Sequence, residues 1–300
     1  MRFDGGHKND PFLVNTFGRF VEWVPVCPEV EAGFGTPREA MRLVPHDDHV
    51  RLLTVKTHRD VTAQLDGYAR RRVVQLTSEG LSGYVLKKDS PSCGMERVKL
   101  YDPRGGASSR SGRGLFAARL CDRFSDLPIE EEGRLSDPRL RENFIARVFA
   151  YWRLQGLFGT RWTVGDLLRF HTAHKLILMA HSLPAYRQLG QLVAGARTVP
   201  RKALETRYRS AFMAALSAIA TTRRHTNVLQ HMAGYFKGQL DAASREELQG
   251  AIEDYRRELV PLIVPVTLIR HHVRTLSIAY LADQLYLEPH PKELMLLNHV

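Results

Sequence analysis

The sequence has few cysteines and no long apolar run. Three cysteines occur among 300 residues, an odd number that argues against the disulfide framework of a secreted protein. No run approaches the ~18 consecutive apolar residues of a membrane span. The polar N-terminus does not match a signal peptide. We therefore expect a cytoplasmic protein without a membrane partner, whose cysteines are open to metal-binding or catalytic roles.

The sequence also has fewer acidic than basic residues. The chain has 43 Lys and Arg against 32 Asp and Glu, which gives a formal charge of +11 and a pI near 9.8. Such a surplus favours a polyanionic partner, because basic side chains displace the counterions condensed on phosphates. Many basic proteins have no nucleic-acid role, so charge alone leaves RNA or DNA binding as one interpretation.

The first 135 residues alternate between strand and helix patterns, which predicts an α/β domain with a mostly parallel sheet. Cys27 and Cys93 each follow a β-prone run, and ligands of such sheets gather at the carboxyl ends of the strands. We expect the two cysteines to meet there. The predicted strands are Glu22–Val26, Met41–Val44, Val50–Thr57, Gly83–Lys87 and Leu127–Glu132, and the predicted helices are Asp60–Leu76 and Ser111–Phe124.

From Asp137 onward, apolar residues recur at helical spacing, which predicts an all-α domain over residues 136–300 after an α/β domain over 1–135. Ser136 or Asp137 is expected to cap the first helix, with Pro138 in its first turn. The predicted helices are Leu140–Leu154, Val164–Met179, Tyr186–Ala194, Ala203–Thr222, Asn227–Phe236, Arg245–Leu259 and Pro261–Leu281.

Two short loops could carry chemistry. Cys93 lies in Ser90-Pro-Ser-Cys-Gly94, where hydroxyl groups and backbone amides surround an exposed thiol, and Cys27 lies two residues before Glu29. Each loop combines a soft ligand with polar groups, although unremarkable loop thiols are the alternative. Cys121 lies at helical spacing beside apolar residues and is expected to be a small core residue.

The motifs of the first half resemble those of the TudS-type thiouracil desulfidase family. They span nearly all of residues 1–135 in the family's order. The segments that carry the resemblance are Arg2-Phe-Asp-Gly-Gly-His-Lys8, Trp23-Val-Pro-Val-Cys-Pro-Glu-Val30, Gly35-Thr-Pro-Arg38, Leu86-Lys-Lys-Asp-Ser-Pro-Ser-Cys-Gly94, Gly114-Leu-Phe-Ala117 and Pro128-Ile-Glu-Glu-Glu-Gly-Arg-Leu135.

The resemblance implies a [4Fe-4S] cluster held by three cysteines, with one iron open to the sulfur of the substrate. Cys27 and Cys93 match two of these ligands, Glu29 matches the acid-base carboxylate, and Ser90 matches the catalytic hydroxyl. The implied reaction replaces C=S by C=O in a thiolated pyrimidine without redox change. The residues expected to contact the substrate are Asp4, Gly5, His7, Lys8 and Ser92.

One family ligand is absent from this sequence. The family's first cysteine lies just before the stretch that begins here at Met1-Arg2-Phe3-Asp4. We hypothesise that the start was assigned inside the motif and that about fifteen residues with the first strand and ligand precede it. As written, the chain is expected to bind the cluster poorly and to be impaired or inactive.

The second half resembles the YbgA-like helical domain that often follows the desulfidase domain. The segments that carry this resemblance are Phe170-His-Thr-Ala-His-Lys175, Ala180-His-Ser182, Tyr186-Arg-Gln-Leu-Gly190, His225-Thr-Asn-Val-Leu-Gln-His231, Gly234-Tyr-Phe-Lys237 and Glu293-Leu-Met-Leu-Leu-Asn-His-Val300. Two-domain members are thought to act on thiouridine in tRNA. A basic RNA-binding face is expected at Arg169, His174, Lys175, Arg223, Arg224 and Lys237, with a merely solvated face as the alternative.

The sequence therefore indicates a cluster-dependent desulfidase of thiouridine in tRNA. One alternative is desulfidation of free thiouracil-type bases. The other is a non-catalytic RNA-binding protein that has lost its cluster.

Overall fold

The computed structural model describes residues 4, 6, 9–102 and 108–299. The chain forms two compact units, Met1–Ser136 and Asp137–Val300. The first unit contains strands and helices, and the second is helical, which confirms the expected fold class.

The first unit is built on a four-stranded sheet with the order β2-β1-β4-β5. Strands β1 (Met41–His46) and β2 (His49–Thr54) form the expected antiparallel hairpin. Strand β4 (Val98–Leu100) pairs parallel with β1 and antiparallel with β5 (Ser109–Gly112). Leu43 and Leu52 face each other across the hairpin and are fully buried, so this pair fixes the side of the sheet that meets the core.

A second, two-stranded sheet pairs β3 (Tyr84–Leu86) and β6 (Ile129–Glu131) in parallel. Helices α1 (Thr62–Leu76) and α2 (Leu115–Arg123) pack on one another in the same unit. Their buried faces join β3 in one apolar cluster, whose fully buried members include Ala69, Phe116, Ala117 and Leu120. This core lies directly beneath Cys93, which packs against it.

The structure corrects several of the element predictions. Residues 22–26 form no strand, and Trp23 and Val24 remain exposed. Strand β4 was missed because it has only three residues, and β5 was missed because it is polar and lacks the alternation that marks a half-buried strand. Helical turns at Phe12–Thr16, Phe17–Arg19 and Val30–Phe34 were also missed.

The second unit begins with a helix capped by the Asp137 side chain, which accepts hydrogen bonds from two backbone amides, with Pro138 in the first turn. Two predicted helices end early: one stops at Ser217, and another breaks at Leu276–Ile278. No described helix is both long and apolar enough to cross a bilayer. The helices are α3 (Pro138–Phe158), α4 (Val164–His181), α5 (Leu183–Ala194), α6 (Arg201–Ser217), α7 (Thr222–Ala233), α8 (Ala242–Arg256), α9 (Ile263–Thr275) and α10 (Ala279–Ala282).

The loop that follows β3, residues 90–94, packs against the amino end of α2. The amide of Leu115 donates to the carbonyl of Pro91 at 3.2 Å, and the amides of Phe116 and Ala117 donate to the carbonyl of Ser92 at 3.0 and 3.1 Å. These amides have no partner inside the helix, so the loop satisfies them. Gly114 makes this close approach possible, because a Cβ there would lie 2.4 Å from the carbonyl oxygen of Ser92.

We predict that Gly114→Ala destabilises the first unit by about 1–3 kcal/mol, because the atoms in its way are backbone atoms that cannot rotate aside. Urea unfolding followed by circular dichroism measures the effect. Gly67→Ala in α1 is the matched control, since its Cβ would meet only the tip of Arg71 at 3.8 Å. Its stability should stay unchanged or rise by up to about 1 kcal/mol. Equal stability of the two variants would contradict the prediction.

Candidate functional site

Cys27 and Glu29 lie where the irregular segment of residues 22–26 leads into the helical turns at residues 28–34. The Cys27 amide donates to Glu31 Oε1 at 2.8 Å, and the Glu31 amide donates to the Cys27 carbonyl at 2.9 Å. Glu31 Oε2 also accepts a hydrogen bond of 2.5 Å from the hydroxyl of Tyr68 on α1. Glu31 therefore fastens the Cys27 loop to a core helix.

Glu29 forms a buried ion pair with Arg38. Arg38 Nε and Nη2 lie 2.7 and 2.5 Å from Glu29 Oε2, and the two side chains are only 5% and 12% exposed for Arg38 and Glu29, respectively. Arg38 Nη1 also donates to the Gly35 carbonyl at 3.2 Å. The guanidinium thus holds one carboxylate oxygen while it is itself fixed by the Gly35 turn.

Two serine hydroxyls reach the other oxygen of Glu29. Ser92 Oγ lies 2.5 Å from Glu29 Oε1, and Ser90 Oγ lies 2.9 Å from Ser92 Oγ. A carboxylate only accepts hydrogen bonds, so Ser92 donates to Glu29 and Ser90 donates to Ser92. Ser90 Oγ accepts in turn from the amides of Ser92 and Cys93 at 3.2 and 3.1 Å. The result is a directed relay, Ser90 to Ser92 to Glu29.

Cys93 places its thiol beside this relay, with Sγ 3.6 Å from Ser92 Oγ. Burial raises the pKa of the Cys93 thiol to about 12; the neighbouring Ser92 hydroxyl opposes the shift, and the negative charge of Glu29 adds to it. The protein alone therefore keeps this thiol protonated at neutral pH. An electrostatic effect of Cys27 on the pKa of Cys93 is consistent with the prediction that the two cysteines lie near each other.

Two thiols are fewer than the three or four that hold an iron-sulfur cubane. Among the described residues, no group of three or more Cys, His, Asp or Glu side chains is arranged to hold a metal ion. Cys121 lies on α2 and belongs to no such group among these residues. The described residues therefore do not form a complete [4Fe-4S] site.

The remaining predicted substrate contacts fall partly outside the described residues. Gly5, His7 and Lys8 lie there, whereas the Asp4 carboxylate accepts a 2.9 Å hydrogen bond from the Gly6 amide. Ser92 was also predicted to contact the substrate. It is only 1% exposed, and in this conformation its hydroxyl donates a hydrogen bond to the Glu29 carboxylate. Arg38 lies in the Gly35-Thr-Pro-Arg38 motif, but no role was predicted for it from the sequence.

The residues predicted to form one basic face differ in exposure. His174 is 1% exposed, its Nδ1 bonds to the Phe170 carbonyl at 2.7 Å, and burial lowers its pKa to about 3, so it is a neutral core residue and that assignment was wrong. Lys175 on the same helix is half-buried. The exposed members are Arg169, paired with Asp166, Arg223 and Arg224 at the start of α7, and Lys237 beyond its end.

Comparison with known proteins divides the chain in the same order. Residues 1–132 match the family model described as 2-thiouracil desulfurase, and residues 175–291 match one described as a protein of unknown function (DUF1722). The chain is 36% identical over 155 residues to the uncharacterized protein YbgA of Escherichia coli strain K12, covering 51% of this chain and 92% of YbgA.

One solved structure also matches. It is titled a [4Fe-4S]-dependent thiouracil desulfidase, TudS, and is 29% identical to this chain, with a TM-score of 0.34. The match covers 44% of this chain and 80% of that one.

We predict that Arg38→Met destabilises the protein by about 3–5 kcal/mol, because it leaves the buried Glu29 carboxylate without its cation. Urea unfolding measures the loss. Arg70→Met is the control, since Arg70 is 66% exposed and its pair with Asp66 is worth at most about 1 kcal/mol. The importance of the buried pair would be refuted by two variants of equal stability.

Proposed function

Because the chain belongs to the YbgA family through its helical half and matches the 2-thiouracil desulfurase model over its first 132 residues, we propose that it removes sulfur from a thiolated pyrimidine. The observation that carries the proposal is the Ser90–Ser92–Glu29 relay beside Cys27 and Cys93. A carboxylate, two hydroxyls and two thiols in one site match the needs of this reaction.

The proposed reaction is a hydrolysis in which atoms and electrons balance. Water adds its oxygen to the ring carbon of the C=S group and gives a proton to Glu29. The tetrahedral carbon then re-forms a double bond to oxygen as the hydroxyl proton passes to the sulfur, and the C–S bond breaks so that hydrosulfide leaves. Glu29 afterwards releases its proton to water. Carbon keeps its oxidation state, so the protein side chains need only move protons and hold the reactants.

Each side chain of the relay has a distinct task. Glu29 Oε1 accepts the proton, while Arg38 holds Oε2 and fixes the plane of the carboxylate. Ser92 donates to the same Oε1 atom, so its hydroxyl rotates away when that oxygen takes a proton. Ser90 follows as the next donor and remains anchored by two backbone amides. Proton transfer of this kind contributes about 10²–10⁴ in rate.

The iron-sulfur cluster that the resemblance implies would supply a thiophilic Lewis acid for the departing sulfur. Cys27 and Cys93 would be two of its ligands. Ser92, the middle residue of the relay, lies within 3.6 Å of one of these two ligands, at the Cys93 sulfur.

The charge distribution supports a tRNA substrate. Residues 137–300 contain 22 Lys and Arg against 13 Asp and Glu, so the helical unit carries +9 of the total +11. A polyanion is the partner that such a unit attracts. We therefore propose thiouridine in tRNA as the substrate, with the free thiouracil base as the alternative.

We predict that Glu29→Gln lowers the rate of sulfide release by about 10²–10⁴, because the amide cannot take a proton from water. The assay follows sulfide from thiouridine-containing tRNA and from 2-thiouracil after anaerobic reconstitution with iron and sulfide.

Glu22→Gln is the control, since Glu22 is exposed in the same segment. Its rate should equal that of the unmodified chain. The proposed function fails if the unmodified chain releases no sulfide from either substrate, and the relay fails if Glu29→Gln keeps full activity.

We predict that Arg223→Ala weakens tRNA binding at all sequences and lowers the slope of log affinity against log salt by about one, because one phosphate contact is lost. Arg256→Ala removes the same charge from a residue already paired with Glu253 at 2.6 Å and should have a smaller effect. Fluorescence anisotropy over a salt series measures both. Equal effects would assign the binding to net charge alone, and no binding would remove the tRNA proposal.

A further inference from the structure

The segment that carries Cys27 and Glu29 is held by one side of helix α1. Three polar side chains of this helix, Gln64, Tyr68 and Arg72, are spaced four residues apart, which places them on neighbouring turns of one face. Each of the three contacts the helical turn that follows Cys27. We call these three side chains the α1 anchor.

The α1 anchor holds this turn at two residues. Gln64 Nε2 donates to the carbonyl of Ala32 at 2.8 Å. The Tyr68 hydroxyl donates to Glu31 Oε2 at 2.5 Å, and Arg72 Nε forms a looser ion pair of 3.5 Å with the same oxygen. Tyr68 is buried, so its hydrogen bond to the carboxylate is shielded from water. The Tyr68 hydroxyl is therefore the closest contact between the α1 anchor and the turn.

Glu31 connects the α1 anchor to Cys27. Glu31 Oε1 accepts a hydrogen bond of 2.8 Å from the Cys27 amide, and the Glu31 amide donates to the Cys27 carbonyl at 2.9 Å. Both backbone polar groups of Cys27 are thus bonded to one residue, whose other carboxylate oxygen is bonded to Tyr68. The Tyr68 hydroxyl therefore acts on the position of Cys27 through Glu31.

Helix α1 also packs on the helix that holds the other part of the candidate site. Arg119 Nε on α2 donates to Asp66 Oδ1 on α1 at 2.7 Å, and the rings of Tyr68 and Phe116 stack with their centroids 6.3 Å apart. Residues 90–94 are bonded to the amino end of α2. Each part of the candidate site is therefore docked on one helix of a single packed pair.

We propose that Tyr68 and Glu31 are positioning residues for desulfidation, which hold the segment from Cys27 to Glu29 in the place that the reaction requires. Both oxygens of the Glu31 carboxylate are engaged by the protein, so neither residue is assigned a contact with the substrate. The reaction itself rests on the proposed function, whereas the hold on Cys27 can be measured without it.

Alkylation of the three cysteines tests the hold on Cys27 without catalysis. The full chain and its Tyr68→Phe variant are treated with iodoacetamide at one pH before reconstitution, and mass spectrometry follows each cysteine. In the variant, Cys27 should react about threefold faster or more, because its segment opens locally more often, while Cys93 and Cys121 keep their rates. An unchanged rate at Cys27, or an equal rise at all three cysteines through general loss of stability, would overturn the proposal.

Two further variants complete the alkylation experiment. Tyr101→Phe removes the same hydroxyl from an exposed tyrosine of the same unit and should leave every rate unchanged. Glu31→Gln should also accelerate the alkylation of Cys27, because an amide nitrogen cannot accept a hydrogen bond. Tyr68→Phe combined with Glu31→Gln should have no larger effect than the stronger single variant, since the two residues act in series. Additive effects would contradict that arrangement.

The kinetics of sulfide release connect this hold with the reaction. Tyr68→Phe should lower kcat about tenfold and keep KM within about twofold, because it displaces a reacting group and removes no substrate contact. A raised KM with an unchanged kcat would overturn the positioning role. If the unmodified chain releases no sulfide, the proposed function fails, and the alkylation rates still decide whether Tyr68 and Glu31 position Cys27.

Discussion

The first unit depends on one buried carboxylate. The Glu29 side chain is only 12% exposed, and Arg38 meets one of its carboxylate oxygens while Ser92 meets the other. Taking a carboxylate out of water costs several kcal/mol unless such partners are in place. Glu29 and Arg38 come from one segment and Ser92 comes from the loop after β3, so the carboxylate joins two parts of the chain that are far apart in sequence.

The fold was predictable where apolar periodicity was strong. The β1–β2 hairpin, α1 and the Asp137 cap follow from local pattern and capping chemistry. Strand β5 could not be found, because Ser109-Arg-Ser-Gly112 has no apolar alternation and exists only through its pairing with β4. The strand predicted at residues 22–26 was wrong for the opposite reason. The composition of this segment favours a strand, but a strand needs a partner, and Trp23 packs edge-on against Phe17 instead.

The sequence predicted which residues form the candidate site better than it predicted the hydrogen bonds and ion pairs between them. Motif resemblance selected Cys27, Glu29, Ser90 and Cys93, and the structure places them together. The resemblance made Ser90 the catalytic hydroxyl, whereas in the structure Ser92 lies closer to Glu29, at 2.5 Å against 3.4 Å for Ser90. The cation on Glu29 also escaped notice, since nothing in the sequence marks Arg38 as buried. His174 shows the converse error, in which a basic residue type was mistaken for a surface position.

The seating of residues 90–94 on α2 has a further consequence for how this centre can diverge. Pro91 and Ser92 cap the helix with their own carbonyls, so the thiol and both hydroxyls move with α2 as a single body. The distances between these three side chains are set by the short loop that carries them, so substitutions elsewhere in the chain change them little. Changes in the segment from Cys27 to Arg38 would instead shift the carboxylate relative to that body. Substitutions between Cys27 and Arg38 would therefore change the shape of the site, while residues 90–94 keep their geometry.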